Sequence, residues 1–221
     1  HDRRIMVRLV KGAYWDAEVK LAQERGLPDF PVFTRKAATD VSYIANARKL
    51  LDGRDRIYPQ FATHNAHSLS AIYQIAGQNY YPGQYEFQCL HGMGERLHDI
   101  VLRETKGRCR IYAPVGAHRD LLAYLVRRLL ENGANSSFVH QLVDPRVPVE
   151  SLIDHPVSQL RRFAALGNPR IPLPPALYGN RKNSQGINMN IQQQWNELAS
   201  AYQPFLDRQW QAAPVIGGQT L

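Results

Sequence analysis

The feature that most restricts the fold of this chain recurs from Ile5 to Gly133: a β-favouring run, a turn, and a stretch with helical spacing of apolar residues. The predicted strands are Ile5–Val10, Ile57–Ala62, Tyr85–Leu90 and Cys109–Ala113, the last as a short buried strand. The predicted helices are Trp15–Arg25, Val41–Leu51 with Asp40 as its N-cap, Ala66–Ala76, Glu95–Glu104 and a segment from His118 to Gly133. Because parallel strands need a helix-length connection, this alternation indicates an α/β fold with a parallel sheet.

Polar and glycine-rich residues follow each predicted strand, at 11–12, 63–65, 91–94 and 114–116. The carboxyl ends of parallel strands share one edge of a sheet, so these turns are expected to converge on a single rim. In an eight-stranded α/β barrel that rim carries the active site, and four strand–helix units make half of such a barrel. A doubly wound sheet also binds its ligand at this edge, so the pattern leaves both architectures open.

The predicted rim is rich in cations and hydrogen-bond donors. These are Arg8, Lys11, Arg35, Lys36, Thr34, Thr63, His64 and Asn65, with Tyr14 and Tyr112 as aromatic neighbours. Such a rim suits phosphates and a polar heterocycle, so the sequence predicts a phosphate-bearing cofactor without specifying which one. Arg8 lies within a strand, where it either faces a cleft or forms an ion pair, because a buried unpaired charge is costly.

The helix that starts at His118 carries two neighbouring arginines. Tyr124, Arg127, Arg128 and Glu131 recur at i, i+3, i+4 and i+7, on the face opposite the leucines. Two guanidinium groups offer rigid forks of donors that suit a carboxylate or a phosphate. The alternative is a solvated helix face with an Arg127–Glu131 ion pair.

Composition narrows the class of protein only slightly. The chain has 221 residues and a formal net charge of +8, which favours an anionic partner without choosing among nucleotide, membrane surface and nucleic acid. No apolar run approaches the about 20 residues of a membrane helix. Cys89 and Cys109 show neither disulfide stapling nor metal-ligand spacing, and His64 with His67 lacks a third ligand. We therefore expect a reducing cytoplasm and no metal.

The pattern changes after Gly133. Residues 135–139 are expected to continue the last helical region, a short helix is predicted near Val149, and residues 167–187 are rich in Pro, Gly and Asn, which is typical of an extended linker. Residues 190–210 have helical spacing. The chain starts without Met and enters a strand at once, so we expect it to be a piece of a longer protein.

Several long motifs resemble the proline dehydrogenase domain of the bifunctional proline utilisation A flavoenzymes. They are VRLVKGAYW at 7–15, FTRK at 33–36, YPQFATHN at 58–65, FQCLHGMGE at 87–95 and YLVRRLLE at 124–131. They occur in the family's order, and the similarity covers about residues 5–175. The resemblance implies the second half, four βα units, of a distorted (βα)8 TIM-like barrel, with FAD at its carboxyl rim. It also implies oxidation of L-proline to Δ1-pyrroline-5-carboxylate, the first step of proline catabolism to glutamate.

The resemblance assigns roles to individual residues. It makes Arg8, near the reactive flavin nitrogen, and Tyr112 catalytic. It assigns cofactor binding to Arg8, Val10, Lys11, Gly12, Thr34, Arg35, Lys36, Thr63, His64 and Leu90. It assigns substrate binding to Arg127 and Arg128, which hold the proline carboxylate, and to Glu131 and Tyr14.

The family also carries a lysine and an aspartate on earlier strands, so the chain is expected to hold an incomplete site. The resemblance divides it into a barrel half at 1–166 and, at 167–221, a mostly helical and irregular extension that is a linker and the truncated start of an NAD-dependent glutamate-semialdehyde dehydrogenase domain. It further implies electron transfer to membrane quinone, a homo-oligomeric parent, a cytoplasmic location that is peripheral to the inner membrane, and no nucleic-acid partner for this segment. From residue chemistry alone, a phosphate-binding barrel lyase or aldolase and a basic nucleic-acid-binding protein remain as alternatives.

Overall fold

The computed structural model describes residues 3–12, 14–77, 80–133, 141 and 144–220, without the side chains of residues 131–133 and 220. The chain forms two compact units. The first comprises His1–Lys20 and Phe30–Pro172, and the second comprises Leu21–Asp29 and Leu173–Leu221. The predicted continuation at 135–139 lies outside the described residues.

A four-stranded parallel sheet forms the centre of the first unit. Its strands are β1 (Ile5–Leu9), β2 (Ile57–Ala62), β3 (Glu86–Leu90) and β4 (Cys109–Tyr112), in that spatial order. One register row runs across the whole sheet through Leu9, Phe61, Phe87 and Cys109. The predicted α/β fold with a parallel sheet is confirmed.

Helices connect the strands as the apolar spacing predicts. They are α1 (Trp15–Arg25), α2 (Lys36–Asp52), α3 (Ala66–Ala76), α4 (Glu95–Thr105), α5 (His118–Gly133), α6 (Val149–Leu152) and α7 (Pro156–Arg161). The predicted cap at Asp40 is wrong: α2 begins a turn earlier, and Asp40 lies inside it. Its carboxylate binds two lysines instead of the free N–H groups of a helix end.

The core lies between one face of the sheet and helices α2 and α3. It is built from Phe61, Phe87, Tyr43, Ala47, Leu51, Leu69, Ile72 and Tyr85, all buried. Phe61 packs edge-on to Tyr85, with 5.8 Å between ring centroids. Full burial of one such side chain contributes about 1.5–3 kcal/mol to the free energy of unfolding, so this face holds the strands and helices together.

One prediction of burial is wrong. The Cys109–Ala113 run forms a strand, but Ile111 is 60% exposed, because β4 lies at an edge of the four-stranded sheet. The leucine side of α5 is also exposed, with Leu129 at 71%, while Arg127 and Arg128 are half-buried. Helix α5 therefore turns its arginines, and not its leucines, towards the described part of the first unit.

The second unit contains the predicted Pro-rich stretch and a helix. It includes a 3-10 turn at Pro174–Ala176, helix α8 (Gln192–Leu206) and an antiparallel pair of short strands, β5 (Val215–Ile216) and β6 (Gln219–Thr220). At Gly26 the backbone has φ +60°, and a Cβ there would collide with the Ser184 carbonyl, so only glycine fits. In the part of the chain that the structure describes, no helix combines the length and the apolar character needed to cross a membrane.

Candidate active site

The face of the sheet opposite the core carries a polar network centred on Glu86. One carboxylate oxygen accepts from Gln60 Nε2 at 2.8 Å, Gln88 Nε2 at 2.9 Å and Arg110 Nε at 2.7 Å. The other oxygen accepts from Tyr58 Oη at 3.1 Å and Arg110 Nη2 at 3.0 Å. Burial alone raises the pKa of this carboxyl, but the hydrogen bonds, with that from Arg110 foremost, outweigh burial and lower the pKa to about 2.

This network positions Arg8. Because Gln88 Nε2 donates to the Glu86 carboxylate, the amide oxygen of Gln88 faces the other way and accepts from Arg8 Nε at 2.8 Å. The Arg8 guanidinium lies 4.7 Å from the centre of the Tyr112 ring. Arg8 is exposed and its hydrogen-bond partner is a neutral amide, which matches the cleft-facing alternative.

Lys11 and Lys36 share the carboxylate of Asp40. Lys11 Nζ lies 2.5 Å from one oxygen and Lys36 Nζ 2.7 Å from the other, while Lys11 also donates to Ser68 Oγ at 2.9 Å. Burial lowers the pKa of Lys11, against the attraction of Asp40. Burial alone raises the pKa of Asp40, but the two ammonium groups hold it below its ordinary value. The cluster therefore carries two cations and one anion at the carboxyl end of β1.

The neighbouring predicted cofactor residues Thr34 and Arg35 contact the chain itself. Thr34 Oγ1 accepts from the Asn168 N–H at 2.9 Å, and Arg35 Nε donates to the Gly167 carbonyl at 3.1 Å. The Arg35 guanidinium lies 3.8 Å from the centre of the Phe163 ring. These contacts fasten the segment after α7 to the start of α2, which the sequence pattern did not indicate.

His64 follows β2 and is fixed by the next strand. Its Nε2 accepts from the Leu90 N–H at 3.1 Å. Burial, with smaller effects of His98 and Arg128, lowers the pKa of His64 to about 4, so the ring is neutral and carries its proton on Nδ1. Gly94 makes room for this ring: it has φ +64°, and a Cβ there would lie 3.0 Å from His64 Cδ2. The glycine turn at 92–94 thus serves packing against His64.

The buried Thr63 beside it shapes the same turn. Its Oγ1 accepts from the Asn65 N–H at 3.2 Å, and the Asn65 side chain accepts from the Ser68 N–H at 2.9 Å as the N-cap of α3. Leu90, also buried, supplies its backbone N–H to His64 rather than an exposed side chain.

The arginine pair of α5 reaches the turns that follow two different strands. The Arg127 guanidinium lies 5.1 Å from the centre of the Tyr14 ring, just after β1. The Arg128 guanidinium lies 5.4 Å from the Tyr124 ring, and its charge lowers the pKa of His64, just after β2. Glu131 lies on the last turn of α5, but its side chain is outside the described residues. The arrangement brings cations from β1 and α5 to one rim.

Comparison with known proteins decides the family. A sequence profile described as Proline dehydrogenase matches residues 1–141. The chain belongs to the proline dehydrogenase family. Bifunctional protein PutA of Klebsiella aerogenes is 55% identical over 97% of this chain, and a Bradyrhizobium japonicum proline utilization A (PutA) crystal structure is 53% identical over 92%, with a TM-score of 0.82. A further PutA crystal structure covers 97% of the chain at 52% identity and a TM-score of 0.83.

The resemblance to the PutA proteins is therefore confirmed. The chain spans only 17% of the length of the Klebsiella protein and 21% of the Bradyrhizobium chain. The chain thus corresponds to a small part of these relatives.

The polar residues that support Arg8 were not predicted from the sequence. Tyr58, Gln60, Glu86, Gln88 and Arg110 occupy alternate positions of their strands. Their period of two was visible as polar residues interrupting apolar runs, but the register that joins them was not. The consequence is that Arg8, a rim cation, owes its orientation to a network on three strands, β2, β3 and β4.

Proposed function

We propose that this chain supplies the FAD- and proline-binding half of a barrel that oxidises L-proline to Δ1-pyrroline-5-carboxylate. The observation that carries the proposal is the position of α5, which places Arg127 beside Tyr14 and Arg128 near His64. Cations from one helix thereby meet the turns after β1 and β2, at the edge where α/β enzymes bind substrate.

The proposed role of Arg127 and Arg128 is to hold the proline carboxylate. Both are half-buried, so a carboxylate bound there is partly shielded from water and its hydrogen bonds to guanidinium are strong. A two-point clamp fixes the orientation of the substrate as well as its position, and this orientation is what transfer of hydride from a ring carbon requires. Glu131 is proposed as a further substrate contact on the same helix, and Tyr14 as the aromatic wall beside Arg127.

The residues around β1 fit a flavin nucleotide. Arg8 is exposed and oriented by Gln88, Lys11 and Lys36 supply ammonium groups, and neutral His64 offers an Nδ1–H. Gly12 has φ +91°, and nothing lies within 4 Å of a Cβ built on it, which leaves space for close approach of a ligand to the backbone. FAD bound there supplies the acceptor of the hydride.

Roles are also proposed for the remaining residues of the rim. Arg8 stabilises negative charge next to the flavin ring, and Tyr112, whose ring lies against Arg8, borders the space for proline. Val10, Thr34, Arg35, Thr63 and Leu90 are proposed as further cofactor contacts. Thr34 and Arg35 do this while they bind residues 163–168.

We extend the proposal to the whole protein. Residues 1–166 form the second half of the barrel, and residues 167–221 form a linker and the start of an NAD-dependent glutamate-semialdehyde dehydrogenase domain. The exposed outer strands β1 and β4 support continuation of the sheet on both sides. In the parent, bound FAD would deliver its electrons to membrane quinone. The parent is proposed to be a cytoplasmic homo-oligomer that meets the inner membrane peripherally.

The substitution Arg128→Met in the parent protein tests the clamp. We expect KM for proline to rise at least about 10-fold, since one charged hydrogen-bond donor pair to the carboxylate is lost. FAD content, measured by absorbance, should stay unchanged. Arg119→Met is the matched control, because Arg119 is 89% exposed on the same helix. An unchanged KM for Arg128→Met rules out the clamp, and a colourless, folded parent rules out FAD.

A further inference from the structure

Two cysteines and a histidine meet on the core-facing side of the sheet, opposite the polar network. Cys89 is on β3, Cys109 is on β4 and His98 is on α4. The two sulfur atoms are 3.7 Å apart, and Cys109 Sγ lies 3.4 Å from His98 Nδ1. One ligand atom from each residue lies within 4.8 Å of the other two. No disulfide joins the cysteines.

These separations match the edges of a tetrahedral metal site. Zinc binds thiolate sulfur at about 2.3 Å and imidazole nitrogen at about 2.0–2.1 Å, so tetrahedral angles place two sulfurs about 3.8 Å apart and a sulfur and a nitrogen about 3.6 Å apart. The observed distances of 3.7 Å and 3.4 Å differ little from these values. Two of the three ligand pairs are therefore already at tetrahedral separations, and the third lies within 4.8 Å.

The histidine is oriented as a metal ligand usually is. Its Nε2 lies 2.9 Å from the Thr63 carbonyl oxygen, so the N–H on Nε2 donates to the backbone and Nδ1 presents its lone pair to Cys109. His98 is 2% exposed, so its ring is held inside the packed part of the chain. The Thr63 contact fixes both the tautomer and the ring plane.

The charge balance also favours a divalent cation. Two thiolates neutralise a charge of +2, which makes the complex suitable for a buried position.

We propose that Cys89, His98 and Cys109 form a three-ligand site for a thiophilic divalent cation of the Zn²⁺ class, with a fourth position for water beside the half-exposed Cys109. The cation joins β3, β4 and α4, and through His98 it reaches the end of β2 at Thr63. Neither cysteine belongs to a short-spaced ligand motif, so the site arises from strand register.

The test uses the full chain after its cysteines have been reduced and any metal removed with a chelator. Two metal ions then serve as probes. Zn²⁺ is titrated in competition with a chromophoric chelator, and Co²⁺ is added to a second sample. We expect one Zn²⁺ per chain, a rise in Tm on binding, and the intense visible d–d bands of tetrahedral Co²⁺ with thiolate ligands, on the red side of flavin absorption. Absence of these bands in the unmodified chain overturns the proposal.

Two substitutions each remove one proposed metal ligand. Cys109→Ser removes one thiolate, and His98→Gln removes Nδ1 but keeps a side-chain N–H that reaches the Thr63 carbonyl. Each should weaken Zn²⁺ binding roughly 100-fold or more, since even changes to groups behind metal ligands cost 10–100-fold. His118→Gln is the control, because His118 is exposed at the start of α5.

Equal Zn²⁺ affinity in all three variants overturns the site. Cross-linking of Cys89 to Cys109 under mild oxidation, in a chain that binds no Zn²⁺ when reduced, also overturns it and shows a redox pair instead. If Cys109→Ser lowers the helical circular dichroism of the chain, Cys89→Ser is tested in its place, and the Co²⁺ spectrum of the unmodified chain remains decisive.

Discussion

The two faces of the four-stranded sheet have opposite chemistry. The face towards α2 and α3 presents Phe61 and Phe87, while the other face presents Gln60, Glu86 and Gln88. All five residues of β3 are buried, so its charged residue is desolvated along with its apolar ones. Parallel sheets usually have apolar residues on both faces, and burial of a carboxylate costs free energy unless it is hydrogen-bonded. The polar face is therefore the one arranged for ligand chemistry, and the apolar face holds the fold.

The largest loss of stability is expected from a substitution on the apolar face. Phe61→Ala should lower the free energy of unfolding by about 3–5 kcal/mol, because the ring is fully buried and its removal leaves a cavity. Urea denaturation of the chain measures this. Ile111→Ala is the control, since Ile111 is 60% exposed, and it should change stability by less than about 0.5 kcal/mol. Equal losses in the free energy of unfolding for Phe61→Ala and Ile111→Ala would show that the buried apolar face contributes no more to stability than the exposed position.

A smaller loss of stability is expected from a substitution on the polar face. Glu86→Gln keeps the shape of the side chain but removes the negative charge that accepts five hydrogen bonds. The new amide NH₂ is itself a donor and would point at other donors. We expect a loss of about 1–3 kcal/mol in the free energy of unfolding at neutral pH. The same denaturation series gives the value. A neutral or stabilising substitution would mean that the network contributes nothing to folding.

The dependence of stability on pH isolates the charge of Glu86. Its pKa lies near 2 in the folded chain, below its ordinary 4.5. The lower pKa in the folded state stabilises the protein fully above about pH 4.5, and this stabilisation is lost as the pH falls towards 2. Denaturation from pH 5 to pH 2 should show a steeper loss for the unmodified chain than for Glu86→Gln. Glu150→Gln, an exposed change on α6, should leave the slope as it is.

The smallest loss of stability is expected for Gln88→Leu, a substitution chosen to change activity more than folding. Gln88→Leu removes the acceptor that orients Arg8, yet Leu fills a similar volume. In the parent protein we expect kcat/KM for proline to fall about 10-fold, which corresponds to about 1.4 kcal/mol, with a similar or smaller change in stability. Phe87→Leu on the other face should show the reverse, a loss of stability with little change in kcat/KM. If Gln88→Leu and Phe87→Leu change stability and kcat/KM by the same amounts, the polar face has no separate functional role.

The sequence predicted the elements better than it predicted their environments. Helices α1 and α3 have the predicted bounds, because apolar spacing and the stops at Gly26 and Gly77 are local signals. Asp40 was assigned to a helix end because its partner Lys11 is distant in sequence. The cation-rich rim was predictable from the residues that follow each strand.

Contacts across strands were not predictable in the same way. Gln88 meets Arg8 across 80 residues, and Cys89 meets Cys109 only because of the register of β3 and β4. A shift of one residue in a strand turns every side chain to the other face, and no local pattern specifies the register between two strands. Nor did the local pattern indicate that the arginine face of α5 is more buried than its apolar side.

The inward orientation of the arginines on α5 restricts the connection that precedes it. Five residues, 113–117, join the end of β4 to the start of α5. A residue added to or removed from this connection that shifts the sequence register along α5 would rotate its side chains by about 100°, since a helical turn contains 3.6 residues. Such a rotation would present leucine instead of guanidinium to the carboxyl ends of the strands. We therefore expect evolution to vary the composition of this connector freely and its length hardly at all.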